Sequence, residues 1–70
     1  MKRYAIVIEK AATNYGGYVP DLPGCAVVGY RTPGQARTSI RLAIRMHLDG
    51  MIQDGDAIPR PTTKAGYVAA

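Results

Sequence analysis

The sequence predicts an α+β fold: a three-stranded antiparallel meander, one long amphipathic helix packed on the sheet and a short C-terminal edge strand, in the order β-β-β-α-β. Short runs rich in valine, isoleucine and tyrosine are separated by turns that contain glycine or proline. One helical periodicity then follows a capping sequence. A chain of 70 residues has room for a single domain, residues 1–70, with one thin core.

Strand one is predicted over roughly residues 3–10, where Tyr4, Ile6 and Ile8 alternate within a mostly apolar run. Residues 13–17 collect asparagine and glycine, which tolerate unusual backbone angles, so the chain is expected to reverse there.

A short second strand, Tyr18 and Val19, ends at Pro20 because proline has no amide hydrogen to donate to a central ladder. Residues 22–25 place proline and glycine at the two central positions of a type II turn. Strand three follows over residues 25–30 and completes the meander.

The helix is predicted to begin at Thr32, which can cap the first free amides. Pro33 suits the first helical position, and Gln35 completes a capping box. Gly55 can adopt the left-handed conformation that closes a helix. The residues expected to face the sheet recur every three or four positions: Ala36, Ile40, Ala43, Ile44, His47, Leu48 and Met51.

The C-terminal part of the chain begins with two prolines in residues 58–61, which hold this connector extended. Residues 65–69 are weakly β-like, and they are predicted to return to an edge of the sheet as a fourth strand.

Candidate chemistry in the sequence is sparse. Cys25 is the lone cysteine, which excludes a disulfide framework and favours a reducing, cytoplasmic location. The acidic residues are scattered, and Asp21 is expected to accept local backbone amides at the proline turn. His47 lies in the apolar stripe, so a dyad with Cys25 is the weaker hypothesis. We therefore predict no catalytic residue, no metal site, no cofactor and no membrane-spanning segment.

Partner surfaces are indicated by charge and by tyrosines. Nine Lys and Arg against five Asp and Glu give a net charge of +4. The arginines repeat every four residues along one helix flank, which either meets phosphates or is an ordinary solvated face: Arg37, Arg41 and Arg45. The candidate protein contacts, with ordinary sheet packing as the alternative, are Tyr15, Tyr18 and Tyr30. So small a core also predicts a homo-oligomer, a dimer or tetramer.

A longer motif runs through the second turn, from the tyrosine of strand two to the lone cysteine: Tyr18, Pro20, Asp21, Leu22, Pro23, Gly24 and Cys25. It is accompanied by Gly29, by Thr32-Pro33, by His47-Leu48-Asp49-Gly50 and by Ile58-Pro59. Together these residues cover most of the chain, and the chain resembles the HicB antitoxin family.

The resemblance implies a partial ribonuclease-H-like fold without that enzyme's catalytic acids. It also implies a non-enzymatic antitoxin that sterically covers HicA, a small mRNA interferase related to double-stranded-RNA-binding domains. Because the sequence ends at Ala70 after the expected last strand, operator binding by this chain alone is not expected. A basic toxin would be repelled by the arginines of the helix, so the chain either uses another face or has no such partner.

Overall fold

The computed structural model describes residues 2–70. Strands β1 (Val7–Lys10), β2 (Tyr15–Tyr18) and β3 (Ala26–Tyr30) precede a single helix, α1 (Pro33–Asp54). The strands form one antiparallel sheet in the order β1-β2-β3, and α1 contacts all three of them. The predicted α+β class, an antiparallel meander under one long helix, is confirmed.

The first hairpin differs from the prediction. The reversal predicted over residues 13–17 lies earlier, and the Ala11 amide donates to the Asn14 carbonyl at 2.8 Å. Gly16 and Gly17 belong to β2 and pair with β1. Their role is close packing, because a Cβ on Gly17 would lie 2.6 Å from the Cδ1 atom of Ile40. Glycine was correctly recognised as special here, but the reason is the close approach of α1 to Gly17 and of β3 to Gly16, and not the turn.

The second turn has the predicted geometry. The Cys25 amide donates to the Leu22 carbonyl at 3.0 Å, and Gly24 has φ 83°, as the third residue of a type II turn requires. The Val19 amide donates to the Cys25 carbonyl at 3.0 Å, and the Leu22 amide donates to the Val19 carbonyl at 3.0 Å. These bonds join the ends of β2 and β3 in a tight corner, residues 19–25.

Both ends of α1 are capped as predicted. Oγ1 of Thr32 accepts from the Gln35 amide at 3.1 Å, and Gly55 closes the helix with φ 75°. The reciprocal bond is displaced by one residue, since Oε1 of Gln35 accepts from the Arg31 amide at 3.1 Å. The helix therefore begins and ends where local capping rules place it.

The core lies between the corner and the first half of α1. Its buried members are Val19, Leu22, Cys25, Ala36 and Ile40. The rest of the predicted helical stripe is half-buried. The corner is thus part of the core as well as a turn.

The predicted fourth strand is not formed. Residues 56–70 contain neither helix nor strand, and Tyr67 and Val68 lie in solvent. Residues 65–69 are mostly alanine and glycine, so pairing at an edge would bury too little side chain to offset the loss of chain entropy. The ribonuclease-H-like topology stays a prediction. No helix within residues 2–70 combines the length and the apolar character that crossing a membrane requires.

Candidate partner-binding surfaces

The two faces of the sheet have opposite surroundings. One cross-strand row, Ile8, Gly17 and Val27, faces the helix: a Cβ on Gly17 would meet Ile40, and Ile8 and Val27 pack against the core. Side chains alternate along a strand, so the next row points away from the helix. That row consists of Val7, Tyr18 and Ala26. We call the side on which it lies the outer face.

The outer face is apolar and bare. The Tyr18 side chain is 42% exposed and that of Val28 is 82% exposed. A shallow hollow of about 390 Å³ runs over this side, and its lining includes Glu9, Gly16, Tyr18 and Val28. Since glycine contributes no side chain, the middle of this face is flat. A flat apolar surface of this kind suits contact with another macromolecule.

A bulge in β3 lies at Val28, which strand alternation already points to the outer face. Tyr15 pairs with Tyr30, and Gly17 pairs with Val27, so two residues of β3 oppose Gly16. One of the two is Gly29, with φ 87°, a left-handed conformation that glycine adopts without steric cost. Sequence reasoning missed Val28 as a surface residue. The available signal was the glycine at position 29 of an otherwise regular strand.

The structure separates the three predicted contact tyrosines. Tyr30 is half-buried on the helix side, where its hydroxyl accepts from Oγ of Ser39 at 2.6 Å. Tyr15 pairs with Tyr30 and is also half-buried. Of the three, Tyr18 lies on the outer face, where 42% of the side chain is open to a partner.

Asp21, in the middle of the motif, anchors the part of the chain that follows the helix. We call this part, residues 56–70, the C-terminal segment. Its carboxylate accepts from the Thr62 and Thr63 amides at 2.9 and 3.0 Å. It also accepts from their hydroxyls at 3.0 and 2.8 Å. The expected amide bonds are present, but their donors are distant in sequence and not local. These bonds, led by the Thr63 amide, hold the pKa of Asp21 below its ordinary value.

A second contact holds the same segment. The Tyr4 hydroxyl donates to the Pro59 carbonyl at 2.5 Å. Ile58 and Pro59 are half-buried, whereas the residues after Thr63 are exposed. The corner and the start of the chain therefore position residues 58–63 without any regular secondary structure.

The predicted arginines lie together on the flank of α1 nearest the N-terminal segment. Arg37 and Arg41 line a hollow of about 310 Å³ with Arg3. Arg41 and Arg45 line a second hollow of about 360 Å³, so Arg41 lies between the two hollows. We call Arg37, Arg41 and Arg45 the arginine flank. It lies on α1, which covers the other face of the sheet from the outer face.

The structure does not combine Cys25 and His47 into a reactive pair. Cys25 is buried in the core, and its burial raises the pKa of the thiol. His47 lines an open hollow of about 560 Å³ with Asp54 and Asp56, and Cys25 is not in its wall. Within residues 2–70 no group of three or more His, Cys, Asp or Glu side chains is placed to hold a metal ion.

Comparison with known proteins gives two matches. A family described as "HicB_like antitoxin of bacterial toxin-antitoxin system" matches residues 4–70. The chain is also 35% identical, over 65 residues, to an uncharacterized 14.9 kDa protein in the rep-hol intergenic region of Haemophilus phage HP1. That alignment covers 93% of the chain and 48% of the phage protein, so the chain spans about half the length of this curated relative. No solved structure matches the chain.

Proposed function

Because this chain belongs to the HicB-like antitoxin family of bacterial toxin–antitoxin systems, we propose that it binds a HicA-like mRNA interferase and neutralises it by steric masking. The role requires no catalytic group in the chain. It is exercised in the cytoplasm, where mRNA is cleaved. The observation that carries the proposal is the bare outer face, in a chain whose family is one of antitoxins.

The outer face suits a basic, RNA-binding toxin better than the helix does. The ionisable residues in the wall of its hollow are Glu9, Lys10 and Tyr18, so its charged groups balance at neutral pH. The arginine flank would repel such a toxin over long distances. Docking on the outer face keeps the arginines on the far side of the complex. Tyr18 and Val28 then supply an aromatic and an aliphatic contact at its centre.

Self-association is the second part of the proposal. A chain of 70 residues without a disulfide has a small core, and burying surface against another copy adds stability. We propose that the antitoxin acts as a homo-oligomer. Such an assembly would present more than one outer face to the toxin.

Co-expression tests the proposal directly. A HicA-like toxin is induced with and without the chain, and growth and co-purification are measured. We expect the wild-type chain to restore growth and to co-purify with the toxin, and Val28→Asp to lose both effects because it places a carboxylate in an apolar contact. Val68→Asp, at another exposed valine in the C-terminal segment, is the matched control and should behave as wild type. Failure of the wild-type chain to bind the toxin would refute the antitoxin role.

Nucleic-acid binding is the alternative function, and the clustering of Arg3 with the arginine flank favours it. An affinity that rests on phosphate contacts falls steeply with rising salt. A labelled RNA or operator duplex is therefore titrated at about 50 and 200 mM salt. Binding at low salt that Arg41→Glu removes would support the alternative, whereas no binding at low salt would exclude it.

A further inference from the structure

The two flanks of α1 differ completely in charge. One is the arginine flank. The other is made of uncharged residues that recur at helical spacing, with Asp49 as a charged neighbour between Thr38 and Leu42. Its members are Gln35, Thr38, Ser39, Leu42, Met46 and Gly50. We call this second set the neutral flank.

The neutral flank exposes two large apolar side chains. Leu42 is 60% exposed and Met46 is 65% exposed, and they lie one turn apart. Beside them an open hollow of about 700 Å³ is lined by Leu42 and by residues up to Tyr30 of β3. The hydrogen bond from Ser39 holds the Tyr30 ring at the edge of this hollow. The neutral flank therefore presents two protruding apolar side chains, Leu42 and Met46, and beside them a hollow whose Tyr30 wall is held in place.

We propose that two copies of the chain associate through the neutral flank. The proposal deepens the self-association put forward above and rests on that part of the proposed function. Each copy carries a net charge of +4, so a contact that brought the arginine flanks together would be strongly disfavoured. The neutral flank meets its own copy without that cost. Its lack of charge also makes it a poor match for an acidic peptide or a phosphate.

In a two-fold dimer, the neutral flank of each copy covers the neutral flank of the other. In a two-fold contact the same patch is used twice, so Leu42 of one copy is placed at the hollow beside Tyr30 of the other. Both arginine flanks then point away from the contact, and both outer faces stay free.

Pairing of the exposed β3 edge is a weaker way to bring two copies together. The bulge at Val28 and Gly29 interrupts the regular backbone of this edge strand. Such irregularity is one means by which edge strands avoid pairing with other chains. We therefore place the contact between the two copies on the neutral flank and not at the β3 edge.

The contact is expected to be modest in strength. A helix of 22 residues is about 33 Å long, and one flank of it buries less than a standard protein interface. We therefore expect dissociation in the micromolar range and a mass that depends on concentration. Because both copies are basic, added salt should strengthen the dimer by screening their repulsion.

Sedimentation equilibrium of the purified full chain tests the proposal. The wild-type mass should approach about 15 kDa, twice the 7.5 kDa of one chain, as concentration rises. The double substitution Leu42→Glu and Met46→Glu should raise the dissociation constant at least about tenfold, because it brings carboxylates into the contact. Ile52→Glu is the matched control: Ile52 is on the same helix and 64% exposed, but it lines the hollow beside Arg45. This control should dimerise as wild type.

Circular dichroism establishes that each variant is folded, and Leu42→Gln with Met46→Gln replaces the double glutamate variant if that variant unfolds. A wild-type chain that stays at 7.5 kDa up to millimolar concentration would overturn the proposal. So would a dimer that the changes at Leu42 and Met46 leave intact, or one that Ile52→Glu weakens equally. Toxin binding is measured on the same proteins. A chain that dimerises through the neutral flank but does not bind the toxin would refute the antitoxin role and leave the dimer proposal standing.

Discussion

Val27 and Val28 are adjacent valines in one strand, and they have opposite surroundings. The side chain of Val27 packs against the core on the helix side of the sheet, whereas that of Val28 is exposed on the outer face. The same contrast separates the row of Ile8, Gly17 and Val27 from the row of Val7, Tyr18 and Ala26. Both rows are largely apolar, but one is covered by a helix and the other is bare. The inner side thus accounts for the stability of the fold, and the outer face is available for a partner.

The largest expected loss of stability comes from the buried side of this comparison. Leu22 is completely enclosed by the corner and the helix. Leu22→Ala should lower the free energy of unfolding by about 2–5 kcal/mol, since it removes apolar contacts and leaves a cavity. Urea unfolding followed by circular dichroism measures the change. A loss below about 1 kcal/mol would show that the corner is not part of the core.

Gly17→Ala should have the next largest effect. The added Cβ would lie 2.5 Å from the Val7 carbonyl oxygen and 2.6 Å from Cδ1 of Ile40, so backbone or helix must move. Overpacking of this kind costs about 1–3 kcal/mol. Gly50→Ala is the control: nothing lies within 4 Å of its Cβ, and alanine favours the helix there by about 0.5–1 kcal/mol. The midpoint temperature of thermal unfolding should fall in Gly17→Ala and rise in Gly50→Ala.

The contact between Asp21 and the C-terminal segment should be sensitive to acid. Because the folded-state pKa of Asp21 lies below its ordinary value of 3.8, the contact contributes stability above that value. That stability is lost as the pH falls through the lower, folded-state pKa. The protection of the Thr62 and Thr63 amides against hydrogen exchange, taken relative to the intrinsic rate at each pH, should fall in acid. The same protection should fall at neutral pH in Asp21→Asn. Unchanged protection in the variant would show that other contacts hold this segment.

Val28→Asp should have the smallest effect on stability. The side chain already lies in solvent, so the free energy of unfolding should change by less than about 0.5 kcal/mol. Urea unfolding beside the Leu22→Ala variant gives the comparison. A loss as large as that of Leu22→Ala would mean that the outer face is covered within the chain itself.

Features governed by local rules were predictable from the sequence. Thr32, Pro33 and Gly55 defined the helix, and Pro23 with Gly24 defined the corner, because capping and turn geometry depend on a few adjacent residues.

Features that depend on distant contacts were not predictable. Ile40 approaches Gly17 of β2 closely, and the bonds from Thr62 and Thr63 to Asp21 join residues more than 40 positions apart. Of the candidate tyrosines, it is the pleat of the sheet that exposes Tyr18 on the outer face. Residue type alone does not specify which face a strand leaves bare.

Nuclear magnetic resonance of the isotope-labelled chain, titrated with the unlabelled toxin proposed as its partner, tests the central claim most directly. The account predicts that the amides of Tyr18, Ala26 and Val28 shift or broaden, while those of Arg41 and Arg45 keep their positions. Perturbation centred on the arginine flank, with the outer face unchanged, would contradict it.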